Sequence, residues 1–235
     1  YLHPRAREIL ADVRRLEEDA RGIARGQHGA LSIGYTRSTI FSILPRAVRA
    51  YREHHPRVKV ELIALLSEHQ HAQLASGRIQ IGVARYLGPA DTVEGLRATP
   101  LLDDPFVVAL PLQHPLARRR SVPVRALADT LLVTYPKDPQ SRFAEHTLRM
   151  LRSAGIDPVV ADHADDIHTA LAMVASGLGC SLVGRSVSRG SRDDVAFVPL
   201  ADLHDTARVM VMTKEGDSSR IVSDFVRTLQ ATSVA

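Results

Sequence analysis

Apolar residues recur at Leu2, Ala6, Ile9, Val13, Leu16, Ala20 and Ile23, in steps that alternate four and three. A 3.5-residue seam of this kind predicts one helix over about residues 4–26, with Pro4 in its first turn and Gly26 and Gly29 at its end. Its six Arg are nearly balanced by Glu8, Asp12, Glu17, Glu18 and Asp19, so it is not a basic arm for nucleic acid. Such a seam either pairs with a partner helix, most simply its own copy, or packs on its own domain. Beyond it the period changes. Ala30–Tyr35, Val58–Leu65 and Ile79–Ala84 read as strands, separated by helical stretches at Ser38–Glu53 and Ser67–Ser76. Two further short strands are expected at Leu96–Leu102 and Phe106–Leu110, broken by Asp103-Asp104-Pro105. A second alternating series follows: strand Leu131–Thr134, helix Ser141–Ala154, strand Val159–Ala161, helix Asp166–Ser176 and strand Cys180–Val183. Strands at Val195–Leu200 and Ala207–Met212 and a helix at Ser218–Ala231 complete the chain.

Two βα series with a trailing strand and helix predict an α/β protein of two subdomains, each built on a parallel sheet. The chain is expected to cross between them near Leu102–Pro105 and His204–Ala207. Ligands of such folds sit between the units, at the carboxyl ends of the strands.

Composition narrows the function classes. The chain has 235 residues, 45% of them hydrophobic, which is enough to bury a sizeable core. Trp is absent and aromatics are 4%, so a base-stacking nucleic-acid platform is disfavoured. The net charge of +4 is a small excess over many ionised groups, and the one sharp basic run, Arg118-Arg119-Arg120, reads as a solvated loop. The single cysteine, Cys180, excludes an internal disulfide and a Cys-based zinc knuckle. No apolar run reaches membrane-spanning length and no signal peptide is evident, so a cytoplasmic location is expected. Tyr1 suggests that the chain begins inside a longer protein.

The common nucleophile, phosphate-loop, dinucleotide and zinc-protease motifs are all missing, so the chain does not read as an enzyme and no cofactor is expected. The Gly177-Leu178-Gly179 turn reads as a helix stop. No metal site is expected either: His163 and His168 do not align on one helix face, and Asp165 reads as a helix N-cap. The strongest chemistry lies at helix starts that follow strands. One is Thr36-Arg37-Ser38-Thr39. The other is Ser67-Glu68-His69-Gln70, a capping-box pattern with Ser67 at the N-cap and Gln70 at N3. Each serine alone reads as a cap. The two together, facing one cleft with Arg37 and Arg85 at nearby strand ends, read as a site for a carboxylate.

Three stretches carry a family resemblance: LSIGYTRSTIFSILPRAVRAYREHHPRVKVEL, then SEHQ followed by LASGRIQIGVAR, then LLDDPFVVALPLQHPLA. Over roughly residues 27–235 they resemble the effector-binding domain of LysR-type transcriptional regulators, most of all the muconate-responsive regulators of benzoate, catechol and chlorocatechol degradation. The resemblance implies the type II periplasmic-binding-protein fold, with two Rossmann-like subdomains. One comprises residues 27–102 and 206–235, the other residues 103–205. Residues 1–26 are then the linker helix for dimerisation, and the N-terminal winged helix-turn-helix that binds promoter DNA is absent from this chain. It further implies a homodimer or homotetramer, no membrane, and a small carboxylate inducer between the subdomains. Its contacts would be Ser38, with Arg37 and Thr39 beside it, Ser67, Arg85, and Pro136, Ser141, Arg142 and Phe143. The sequence departs from the family pattern at Arg37 (a small residue in relatives), Gln80 (an Asp), Ser141 (a Pro) and Asp103. In some relatives the last is an Arg that helps form a second, benzoate-binding pocket. The other reading is a solute-binding protein for a small organic acid.

Overall fold

The computed structural model describes residues 28–87 and 94–234, together with Leu10, Val13, Glu17 and Gly22. The helix expected over residues 1–26 lies, apart from those four helical residues, outside the described residues.

In chain order the strands are β1 (Gly29–Tyr35), β2 (Val58–Ala64), β3 (Ile81–Leu87), β4 (Leu96–Pro111), β5 (Leu132–Thr134), β6 (Val160–His163), β7 (Ser181–Gly184), β8 (Val195–Pro199) and β9 (Thr206–Lys214). The helices are α1 (Leu44–His54), α2 (Ser67–Ala75), α3 (Phe143–Ser153), α4 (Ile167–Ala175) and α5 (Arg220–Val234). Short 3-10 helices lie at Arg37–Phe41, Val124–Leu127 and Arg185–Ser188.

β1 pairs in parallel with both β2 and β3, so α1 and α2 are crossover connections. β3 then meets β9 antiparallel, and β9 meets the first part of β4, giving the order β2-β1-β3-β9-β4. The second lobe repeats the plan. β6 pairs with β5 in parallel, β5 reaches β7 through a bridge at Leu132 and Cys180, and β7 and β8 flank the last part of β4. In each lobe a single parallel βαβαβ unit is closed by two antiparallel strands.

The expectation of two strands broken by Asp103-Asp104-Pro105 is corrected: β4 is one sixteen-residue strand. Asp103, Asp104 and Pro105 are still in register with Arg208, Ala207 and Thr206 of β9, and from Phe106 the partners become β7 and β8. Turn-forming residues are tolerated because they sit where the strand changes neighbours. The one register shift lies elsewhere, between Pro100 and Leu102. The helix expected over Ser38–Glu53 is also corrected. Its first turn is the 3-10 helix Arg37–Phe41, and α1 starts only at Leu44, with Pro45 in its first turn. Proline lacks an amide hydrogen and restricts the residue before it, so a helix starts more easily there than it continues through.

Apolar layers cover both faces of each sheet. In the first lobe Leu31, Ile33, Leu44, Tyr51, Phe225 and Leu229 form the larger layer under α1 and α5, while Leu74, Ile79 and Met212 form a smaller one under α2. In the second lobe Phe106, Leu110, Leu151 and Leu182 pack under α3, and Val107, Ile167, Leu171 and Val183 under α4. Alternate residues of β4 thus feed opposite layers, as the two-residue strand period requires.

Candidate functional site

A cavity of about 900 Å³ lies between the lobes. Its first wall comes from the carboxyl ends of β1, β2 and β3: Arg37 and Ser38, Ser67, and Arg85. Its second comes from the segment after β5 and the start of α3: Pro136, Ser141, Arg142 and Phe143. Eight of the nine residues singled out in the sequence therefore line one space. The ninth, Thr39, does not. It is fully buried and its hydroxyl donates to the Thr36 carbonyl at 2.8 Å. The tight 3-10 turn rotates it inward, a consequence of the shorter helix reported above.

The cap chemistry also differs from expectation. A five-residue 3-10 helix carries little macrodipole, so Ser38 does not sit at a strong helix N-terminus. At α2 the N-cap is Leu66, and Ser67 is the first helical residue. Ser67 makes no capping box. Its Oγ donates to the main-chain oxygen of Arg85 at 3.2 Å. Gln70 is buried instead of reaching back to a cap, its Nε2 donating to the carbonyls of Leu65 and Val83. The α4 cap is displaced by one residue: Asp166, not Asp165, accepts from the Thr169 amide at 2.9 Å.

Arg85 was expected to bring free positive charge. Its side chain is 3% exposed and Nη1 pairs with Asp104. Nη2 donates to Ser186 Oγ at 3.2 Å, and Nε donates to Ser38 Oγ at 3.2 Å. Asp104 is held in turn by the Ser186 amide at 2.9 Å and hydroxyl at 2.6 Å. The charge is thus neutralised inside the protein, and Arg85 positions Ser38. A Cβ at Gly184 would overlap both Arg85 Nη1 and Asp104 Oδ2, so this position has room for glycine alone.

Arg37 settles differently. Its Nη1 lies 2.9 Å from Asp166 Oδ2, so the ion pair spans the two lobes. Two more contacts cross the cleft: His69 Nε2 meets Gln140 Oε1 at 2.6 Å, and the Arg142 amide donates to Glu68 Oε1 at 3.1 Å. Burial by itself would raise the Asp166 carboxyl. The Thr169 amide, Arg37, the Thr169 hydroxyl and His168 together outweigh it and hold the group below the ordinary value of 3.8.

Further cavity residues escaped the sequence reading. Lys137 and Arg149 add positive charge, opposed by Asp138 and Asp165. Burial, helped by Arg149, lowers the His146 imidazolium below its usual value, against smaller raising effects from Asp205 and Glu145. Tyr135 lines the cavity, and its buried hydroxyl has no hydrogen-bond partner. Burial chiefly pushes that phenol up, with Arg85 opposing and Asp104 assisting. The run Tyr135–Phe143 after a strand was the signal available for this wall, and helical spacing from Phe143 would have added His146. Among the described residues no group of three or more His, Cys, Asp or Glu could hold a metal ion. Gln80 and Asp103, both departures from the family pattern, are satisfied locally. Gln80 Oε1 accepts from the Ser32 amide at 2.8 Å, and Asp103 pairs with Arg208 at 2.8 Å.

Residues 24–233 match the family model described as LysR substrate binding domain. The chain is similar to the probable cat1 operon transcriptional activator of Acinetobacter lwoffii, 31% identical over 217 residues that cover 92% of this chain and 70% of the activator. It is similar to the transcriptional regulator CatR of Pseudomonas putida, 31% identical over 91% of this chain and 72% of CatR. Among solved structures, the effector-binding domain of BenM with its effector benzoate superposes with a TM-score of 0.77 at 26% identity, covering 86% of this chain and 91% of that one. Among the described residues no helix is long and apolar enough to cross a membrane.

Proposed function

The chain belongs to the LysR substrate-binding domain family, and on that premise we propose that its cleft binds a small carboxylate inducer of the muconate or aromatic-acid type. It is the effector-binding domain of a LysR-type transcriptional regulator. The observation that carries the inducer reading is the convergence of Ser38 and Ser67 from one lobe with Ser141, Arg142 and Phe143 from the other on a single cavity. Ser38 donates to the carboxylate, Arg37 turns to it from its pair with Asp166, and Phe143 and Pro136 flank the body of the ligand. The cat1 operon activator, CatR and benzoate-bound BenM support this chemical class, and as transcriptional regulators they support a sensing role.

We take residues 27–102 and 206–235 as one subdomain and 103–205 as the other. The change of β4 partners at Pro105 and Phe106 supports that division. Ligand binding shifts the relative orientation of the subdomains, and a homodimer or homotetramer transmits the shift to a winged helix-turn-helix on promoter DNA in the cytoplasm. Such a shift needs different affinities for two states. The test is calorimetric titration of the chain with cis,cis-muconate and benzoate. Micromolar to millimolar binding that weakens about tenfold in Ser38→Ala is expected, the loss of one charge-assisted hydrogen bond. Unchanged affinity in that variant would remove Ser38 from the site.

A further inference from the structure

Ser38 and Ser67, the cleft serines of the first lobe, differ in what they still have to give. Arg85 Nε lies 3.2 Å from Ser38 Oγ. A guanidinium nitrogen only donates, so Ser38 accepts there with a lone pair and keeps its own proton for the cavity. Ser67 is the reverse. Its Oγ lies 3.2 Å from the Arg85 carbonyl oxygen. A carbonyl only accepts, so Ser67 commits its single proton to it and presents lone pairs. Both assignments follow from the chemistry of the partner and not from any placed hydrogen. One residue therefore fixes both polarities, through its side chain and its main chain.

Arg85 cannot easily relax this arrangement. Asp104 and Ser186 hold its guanidinium, and Gly184 closes over the pair. Its carbonyl belongs to β3, in register with Val209 of β9. A bare carboxylate has acceptors alone. It is matched by Ser38 but meets lone pair against lone pair at Ser67. A ligand that places a carboxylate oxygen at Ser38 and an O–H at Ser67 satisfies both.

We propose that the inducer is a hydroxylated carboxylic acid, its carboxylate accepting from Ser38 and its hydroxyl donating to Ser67. This rests on the carboxylate reading of the cleft. The test is calorimetric titration of the 235-residue chain with acids that differ by one hydroxyl: benzoate against its three monohydroxy isomers, and succinate against malate. The methoxybenzoates serve as controls that keep the oxygen and lose the proton.

In at least one pair the hydroxylated acid should bind about five- to tenfold tighter, the worth of one neutral hydrogen bond, and a methoxy group in place of the hydroxyl should abolish the gain. Ser67→Ala should bring the ratio close to one, and Ser67→Thr, which keeps a hydroxyl, should restore it. Ser38→Ala should weaken both members of the pair alike. Parent acids that bind as tightly as every hydroxylated partner, and still weaken in Ser38→Ala, would overturn the hydroxyl while leaving the carboxylate site standing. A folded chain that binds none of these acids would overturn the carboxylate reading, and this proposal with it.

Discussion

Gly184 shows how one residue sustains the site without touching its contents. The Arg85–Asp104 pair is buried on both sides, where the cost of removing two charges from water is offset only by close pairing and further hydrogen bonds. Ser186 supplies those bonds, and the space for the whole cluster exists because residue 184 has no side chain. Gly184→Ala should therefore force the pair apart and lower stability by about 3–5 kcal/mol, the cost of breaking a buried ion pair. Urea denaturation checks this, and a loss below about 1 kcal/mol would mean that the neighbours yield freely. At this scale the sequence was informative about which residues face the cleft, because a hydroxyl or a cation at the end of a strand leaves few places to point. It was silent about partners. Nothing near Arg85 in the sequence says that Asp104 neutralises it, since the two lie on β3 and β4 with β9 between them. Cys180 is the opposite case. Its place at the start of a strand-like run was legible, and in the structure burial pushes its thiol up to about 12.

Among the elements, those with a clean period were placed by sequence to within two or three residues, and larger errors gathered where two signals compete. Ser38–Glu53 has an unbroken helical pattern, but Pro45 inside it resets the start of α1. That resetting turned Thr39 inward and left Ser38 at the cavity. The start of α4 has two adjacent aspartates, and pattern alone does not choose between them. In the structure Asp166 caps the helix and also binds Arg37 across the cleft, so one carboxylate anchors an element and joins the lobes. Its native carboxyl titrates below 3.8. A depressed native value gives stability that is present above the unfolded-state value and lost as pH falls through the native one. Asp166→Ala should cost about 1 kcal/mol at about pH 7, mainly the lost cap. The gap between variant and parent should stay constant down to the ordinary value of 3.8 and narrow below it. Thermal melts across that range check the sign. A gap that widens on acidification would show that the carboxylate is not favoured by its surroundings.

The molecule as a whole is two lobes by its repeated topology but one body by its hydrogen bonds. β4 belongs to both sheets without interruption, and β9 is bonded along β4 up to the point of transfer. The cleft side adds the Arg37–Asp166 pair and the His69–Gln140 and Glu68–Arg142 contacts. Unfolding either lobe alone would strip β4 of partners along half its length and expose an apolar layer that the other lobe cannot cover. The cross-cleft contacts are polar and partly exposed, so each contributes about 1 kcal/mol or less. The continuous strand is therefore what couples the lobes, and the cleft contacts bias their angle. From this follows one calorimetric transition for the chain, with van't Hoff and calorimetric enthalpies in agreement. A bound acid at one hundred times its Kd should raise the stability of that single transition by about 2.7 kcal/mol, because ligand contacts from both walls are lost together. Two resolved transitions, with the acid moving only one, would show that β4 parts at Pro105 and that the lobes fold separately.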